Sequence, residues 1–275
     1  MAKGLTGYLG EERIRAWNDA IPDRYSVRSY RKRPVREDAL RRIEELLRGF
    51  SPLCEKARGY LITEGAQRIF TGLLGPVGRV ANASVAVAFA ADFHLPRHME
   101  AVGYLGEGIV LEATSLGLGT CWMTGSFSRE RVLARVNLPA GWKVIAVTPL
   151  GYGAKRKTLG DSALRALFKS DSRKPLSEIV TGLPRARWPK GLKEALEAAR
   201  WAPSPGNSQP WRFRVDKDGV TLYTDTGEVN FNSVKRLSCG IAMLHFEVAC
   251  AASGIEGTWR FPRPGVPIIA KYRYL

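Results

Sequence analysis

The sequence predicts an α+β chain whose second half repeats the plan of its first. Two observations carry this. Gly103, Gly117 and Trp122 recur as Gly240, Gly254 and Trp259 at a constant offset of 137 residues. Both segments place a helix of small and apolar residues between the glycines, a Gly-Thr pair just before the tryptophan, and a closing strand afterwards. One offset alone carries little; helix, glycine turn, tryptophan and strand matched together read as a diverged tandem duplication. The second observation is Lys217-Asp218-Gly219 between two strand-like runs, 212–215 and 220–224, which is the Asp-Gly signature of a hairpin. The halves divide at 1–160 and 161–275.

In chain order, residues 11–20 predict a helix with Ile14 and Trp17 on one face, ended by Pro22. The stretch Arg24-Tyr25-Ser26-Val27-Arg28 follows. Pro34-Val35-Arg36-Glu37-Asp38 opens a second helix to about residue 48, with Leu40, Ile43, Leu46 and Leu47 at helical spacing. Residues 60–63 and 84–91 predict strands, and 65–78 reads equally as a short helix or a lid. Residues 103–116 form a helix that is apolar nearly all round, which belongs at the centre of a domain. A short helix at 129–136 and a strand at 142–150 close the first half. Residues 158–189 read as a connector. A helix at 191–201 precedes the loop Ala202-Pro203-Ser204-Pro205-Gly206-Asn207-Ser208-Gln209-Pro210-Trp211. After the hairpin come a long apolar helix at 240–253, a turn at 254–259 and a final strand at 267–274.

Composition narrows the class. A chain of 275 residues, 45% hydrophobic and 25% charged, is ordinary for a globular protein. The longest apolar run, near 83–91, is far too short to span a membrane. Met1-Ala2-Lys3-Gly4-Leu5 has no apolar leader core, so a cytoplasmic location is expected. Cys54, Cys121, Cys239 and Cys250 form no Cys-x-x-Cys pair and read as free thiols. His94 and His98 have i, i+4 spacing, but Pro96 lies between them and no third ligand is evident, so a solvated or packing role is expected rather than a metal site. The net charge of +16 is unusual. It is spread along the chain, and no zinc-finger, RNP-type or basic-zipper pattern accompanies it. It reads as solvated surface plus an anion site, rather than a nucleic-acid surface.

Two motifs carry chemistry. If residues 24–28 are extended, Arg24, Ser26 and Arg28 alternate onto one side. Two guanidiniums flanking a hydroxyl make a polyanion grip, because the Arg fork binds phosphate oxygens bidentately. The second motif is the loop at 202–211. Its prolines and glycine stop the helix, and Ser204, Asn207, Ser208 and Gln209 offer uncharged donors and acceptors suited to the edge of a planar heterocycle. Neither motif is duplicated: the counterpart of the loop is Phe50-Ser51-Pro52-Leu53-Cys54, without Asn or Gln.

These residues resemble the FMN-dependent nitroreductase superfamily. Its usual members are homodimers whose interface sites combine an Arg-x-Ser-x-Arg/Lys segment of one subunit with a Pro-Ser-x-x-Asn-x-Gln-Pro-Trp loop of the other. Here the two motifs lie in different halves of one chain, which resembles the TM-type branch with two fused nitroreductase-like halves. The resemblance covers nearly the whole chain. The loop is its specific part, and the Arg-Ser segment and Gly117-Leu118-Gly119-Thr120-Cys121-Trp122 support it. The fold it implies is nitroreductase-like, a tandem-duplicated pseudo-dimer with antiparallel-rich sheets packed by helices and one composite FMN site.

The resemblance also implies roles. Arg24 with Lys155, Arg156 and Lys157 would grip the FMN phosphate; Tyr25 and Ser26 would follow the phosphate and ribityl chain; Arg28 would sit near the pyrimidine end of the ring. Met123, Thr124 and Gly125 would pass their backbone near the ring, with one N–H towards N5. Ser204, Pro205 and Asn207 would contact the ring from the other half, and Gln209 belongs to the same cofactor-binding set, as a brace of the loop together with Trp211. The activity implied is ping-pong hydride transfer from NADH or NADPH through flavin N5 to a nitroaromatic, quinone or similar small acceptor. No protein nucleophile is needed, because the flavin carries the chemistry. An internal pseudo-dimer predicts a monomer. Two other classes stay open at this point: a non-catalytic FMN carrier or sensor, and a basic nucleic-acid binder without flavin.

Overall fold

The computed structural model describes residues 4–50, 53, 56–70, 80–154, 172–226, 233–263 and 266–275. The first half contains α1 (Leu5–Asp23), α2 (Glu37–Gly49), β1 (Ala57–Ile62), α3 (Ala66–Ile69), β2 (Val85–Asp92), α4 (His98–Ser115), β3 (Gly119–Thr120), α5 (Arg129–Leu133) and β4 (Trp142–Gly151). The second contains α6 (Leu176–Ile179), β5 (Val180–Gly182), α7 (Leu192–Arg200), β6 (Trp211–Asp216), β7 (Gly219–Thr224), α8 (Val234–Ala252), β8 (Gly257–Arg260) and β9 (Ile268–Tyr274).

Each half builds its own sheet. The first has strand order β1-β2-β4-β3 and the second β5-β6-β7-β9-β8. All pairings are antiparallel except β5 with β6. The central strand β2 shows why its sequence is small and apolar throughout. Val85, Val87, Phe89 and Ala91 face the main core, while Ala86 and Ala88 face a second cluster with Val144 and Val147. A strand buried on both faces reads as a continuous apolar run, because neither set of alternating side chains meets water.

The main core lies where α4 and α8 cross. Gly103 of α4 is set against the carbonyl oxygen of Leu237, and Gly240 of α8 against the carbonyl oxygen of Glu100. A Cβ on either glycine would overlap that oxygen. Glu100 and Leu237 are themselves offset by 137 residues, so the two contacts are one contact repeated about a local two-fold. Such reciprocity is the mark of an isologous interface, here within one chain. The two helices continue to matching ends, with Gly117 at φ 74° and Gly254 at φ 76°. Both are left-handed positions that glycine occupies without strain.

The structure corrects several sequence-based boundaries. The two central helices begin at His98 and Val234, not at Gly103 and Gly240. The glycines that read as starts are interior contact points, and packing overrides their low helix propensity. The first helix begins at Leu5 and kinks at Gly10 (φ 73°). The stretch predicted as a turn contains β8, and the described part of the connector holds α6, β5 and a short 3-10 turn, Arg185–Arg187. His98 is buried, with Nδ1 2.6 Å from the Leu95 oxygen and its ring 5.1 Å from that of Phe93. No group of His, Cys, Asp or Glu among the described residues is arranged to hold a metal. Cys121, Cys239 and Cys250 are free and buried, and Cys54 lies outside the described residues.

A buried acid also joins the halves. The Tyr104 hydroxyl of α4 donates to Glu247 Oε2 of α8 at 2.7 Å. Burial pushes the Glu247 carboxyl up to about 7, against the opposing effect of that hydrogen bond. The folded pKa lies above the unfolded one, so the carboxyl's contribution to stability is complete below about pH 4.5 and is lost as pH rises through about 7. The loss is on the order of 3 kcal/mol, at 1.36 kcal/mol per pKa unit. Glu247→Gln should therefore flatten the fall in urea-unfolding free energy between pH 5 and 8. An equally steep fall in the variant would remove Glu247 as its source.

Candidate functional site

The Arg-Ser segment leaves α1 as an extended chain. The Arg24 N–H still closes the helix on the Ala20 oxygen at 3.0 Å, and the Val27 N–H then donates to Thr120 at 2.7 Å. Ala81 donates to the Arg28 oxygen at 2.8 Å. Gly119 permits this close approach, because a Cβ there would strike the Val27 side chain. Val27 and Tyr30 point into the core, so the intervening polar side chains are held outward.

The loop after α7 is held in an unusual backbone. Gly206, Asn207 and Gln209 have φ of 58°, 55° and 48°, the left-handed region that non-glycine residues seldom adopt. Hydrogen bonds fix it there. Ser204 Oγ accepts the Gln209 N–H at 2.9 Å, and the Gln209 Oε1 accepts the Lys174 N–H at 2.9 Å. The Asn207 Nδ2 donates to the Ser172 oxygen at 2.8 Å, while its Oδ1 accepts from Arg173 Nη1 at 3.1 Å. The Arg173 guanidinium also lies 5.2 Å over the Trp201 ring. Strain maintained in this way concentrates at binding sites.

Segment and loop face each other across a cavity of about 350 Å³. It brings together Arg24, Tyr25, Ser26, Arg28 and Thr124 of the first half with Ser204, Pro205 and Asn207 of the second. Leu237 and Ile241, one helical turn apart on α8, supply an apolar wall, Trp122, Trp201 and Arg173 extend it, and Pro22, Asp23, Pro203 and Gly206 also border the cavity. Met123, Gly125 and Gln209 do not border it. Met123 is buried with its N–H given to the Val147 oxygen at 2.9 Å. Gln209 is buried as a brace beneath the loop. Trp211 is fully buried in the core. Lys155, Arg156 and Lys157 lie outside the described residues. The N–H groups of Thr124 and Gly125 have no acceptor among the described residues, nor does the Arg28 guanidinium have an ion-pair or hydrogen-bond partner there.

Beneath the cavity sits a carboxylate that sequence reading passed over. Glu107 of α4 is fully buried. Its Oε2 accepts the Trp122 indole N–H at 2.6 Å, and its Oε1 lies 2.8 Å from His245 Nε2. His245 Nδ1 is 3.0 Å from the Ala198 carbonyl oxygen. A carbonyl only accepts, so Nδ1 carries a hydrogen, and the Nε2–Oε1 contact then holds one further proton between imidazole and carboxyl. Arg24 Nε stands 3.9 Å from Glu107 Oε1 and is buried without a hydrogen-bond partner among the described residues. Burial lowers the Arg24 pKa from its ordinary value, with Glu107 and Cys121 opposing. Two of the residues that Glu107 holds, Trp122 and Arg24, line the cavity. The available signal was acids inside a helix otherwise apolar all round, since a buried acid demands partners. Arg173 carried no signal, because it stands in a segment without periodicity.

The family model described as "Putative TM nitroreductase" matches residues 17–250. The chain belongs to this family. Over its full length it is similar to the crystal structure of "a putative nitroreductase" from Thermotoga maritima MSB8, with a TM-score of 0.62, 21% identity, and coverage of 94% of this chain and 92% of that one. That likeness identifies the nitroreductase fold, α+β with antiparallel-rich sheets. Among curated relatives, "Putative NAD(P)H nitroreductase acg" of Mycobacterium tuberculosis is 37% identical over 83 residues. The match takes in 28% of this chain and 25% of the relative's length. About half of the chain is also similar to a nitroreductase with bound FMN from Desulfitobacterium hafniense DCB-2, at 18% identity, covering 52% of this chain and 91% of that one, with a TM-score of 0.43. No helix among the described residues is long and apolar enough to cross a membrane.

Proposed function

We propose that this nitroreductase-family chain is an FMN-dependent NAD(P)H oxidoreductase with one composite site between its halves. A single observation carries the reading: the two motifs, 180 residues apart from Arg24 to Ser204, line one cavity. Arg24 keeps a buried Nε without a hydrogen-bond partner, and the Arg28 guanidinium is unpaired among the described residues. Those are sites prepared for an anion and for an electron-rich ring edge. The Arg24 Nε, which has no hydrogen-bond partner, and the Thr124 N–H, which has no acceptor, both among the described residues, fit FMN together with the neutral amide and hydroxyls of the loop.

In this reading Arg24, with Lys155, Arg156 and Lys157, holds the phosphate, and Tyr25 and Ser26 follow the ribityl chain. Arg28 stands by the pyrimidine edge, where a cation favours the reduced flavin. Ser204, Pro205 and Asn207 would orient the ring, and the backbone N–H of Thr124, which borders the cavity, would serve N5. Met123 takes no such part, since its N–H is spent on Val147. Bound FMN would supply two-electron transfer from NADH or NADPH to a small acceptor such as a nitroaromatic or quinone. The reciprocal glycine contacts between α4 and α8 support a fused pair of ancestral subunits, and with it a monomer.

The test begins with the visible spectrum of the purified protein after incubation with FMN and desalting, with the released cofactor identified. About one FMN per chain is expected. Arg24→Ala and Asn207→Ala should each weaken retention about 10- to 100-fold, since a hydrogen bond to a charged group contributes about 1.5–3 kcal/mol. Absence of flavin, or unchanged retention in both variants, overturns the shared site.

A further inference from the structure

A second cavity, of about 410 Å³, lies against the first, and Thr124 borders both. Its wall is made largely by four consecutive residues of β4: Trp142, Lys143, Val144 and Ile145. The strand is bulged here: Phe89 pairs with Ala146 and Ala90 with Val144, leaving Ile145 without a partner. Bulges of this kind are common beside functional sites. Phe93 and Met99 continue the apolar lining, and Leu133 and Val234 stand at the rim, 52% and 37% exposed.

Two cations break this apolar wall. Lys143 Nζ lies 3.7 Å from the centre of the Phe93 ring. The Arg129 guanidinium is 5.3 Å from that of Phe127, and its Nη1 donates to the Val144 oxygen. Neither has a carboxylate within ion-pair distance among the described residues, and no acid lines the cavity. Ring faces and a carbonyl hold these cations in place without neutralising them. In a chain that pairs many of its other cations, two left uncompensated beside aromatic surface call for an anion with an apolar body.

We propose that this cavity is a binding site for a planar aromatic anion, a carboxylate or sulfonate on a one- or two-ring body. The rings meet Phe93, Met99 and Trp142, and the acid meets Lys143 and Arg129. The apolar walls favour an aromatic body over a bare phosphate chain. The inference does not depend on the flavin reading, because the cavity and its cations are complete without the neighbouring cleft.

The experiment is isothermal titration of the full chain, saturated with FMN, with 2-naphthoate and with the neutral 2-naphthylmethanol, followed by the same titration without FMN. The acid should bind at least about tenfold more tightly than the alcohol, as expected of one or two charge-assisted contacts. Lys143→Gln should reduce that preference, and Lys143→Gln with Arg129→Gln should erase most of it, while the alcohol's affinity stays unchanged. Val234→Trp, at the rim and outside the core, should block both ligands. Equal affinity for acid and alcohol, or an acid preference that survives the double variant, overturns the proposal. So does naphthoate binding that displaces FMN, since the acid would then occupy the neighbouring cleft. A protein that takes up no FMN but shows the predicted acid preference would refute the flavin reading and leave this site standing.

Discussion

Glu107→Ala should destabilise the protein by about 3–5 kcal/mol, the range for breaking a buried charge cluster by removing one partner. The carboxyl is fully buried and serves Trp122, His245 and Arg24 together. Alanine leaves the indole N–H, one imidazole nitrogen and a buried guanidinium facing a void that none of them can satisfy. Urea unfolding at neutral pH reads the loss, and a change under 1 kcal/mol would mean that the network contributes nothing net. Glu107→Gln separates the contributions. Its amide oxygen still accepts from Trp122, and its NH₂ can donate to a neutral His245, but it offers no negative charge to Arg24. Part of the loss should therefore return. On the proposed function, both variants should also loosen FMN, since Trp122 and Arg24 line the cavity.

Gly240→Val should be equally damaging, for a steric reason. A Cβ at Gly240 overlaps the Glu100 carbonyl oxygen, and the obstacle is backbone in the first turn of α4, which no rotamer change can move. Overpacking typically costs about 1–3 kcal/mol, and a clash of backbone on both sides belongs at or above the top of that range. Gly103→Val should do the same against Leu237. The two contacts repeat across one local two-fold, so the double variant should cost clearly less than the sum: once α4 and α8 have moved apart, the second side chain finds room. Gly49→Ala is the control, since nothing lies within 4 Å of its added carbon, and it should be neutral or slightly stabilising. Thermal melts of the four variants decide the matter; additive losses would mean that the glycines do not share one interface.

Much of the architecture could be read from local pattern. The Asp-Gly hairpin, the alternating core strands and the helix faces of α2 and α7 each obey a period that burial imposes on nearby residues. Helix starts were less legible. Gly103 and Gly240 look like boundaries because glycine disfavours helix, and they lie inside because close helix crossing outweighs that preference. Arg24, Ser26 and Arg28 were readable because alternation in an extended segment is local. Met123 was not, since its N–H goes to Val147, a partner that only sheet pairing supplies. Arg173 and Leu237 had no local mark, as neither belongs to a motif until the loop and α8 are folded against the cavity.

The sequence by itself determined the order of the longer helices and of the hairpin and core strands, and the two polar motifs, because these follow from periodicity and from residue types a few positions apart. Only the tertiary structure decided that Arg24 and Asn207 share a cavity, that Glu107 sits beneath it with His245, and that a bulge in β4 opens a second cavity beside it. The physical reason is distance along the chain. Proximity between residues 100 or more positions apart depends on how α4 and α8 cross and how the sheets register, and a one-residue bulge is set by pairing with the neighbouring strand, so it leaves no trace in the hydrophobic pattern of its own strand.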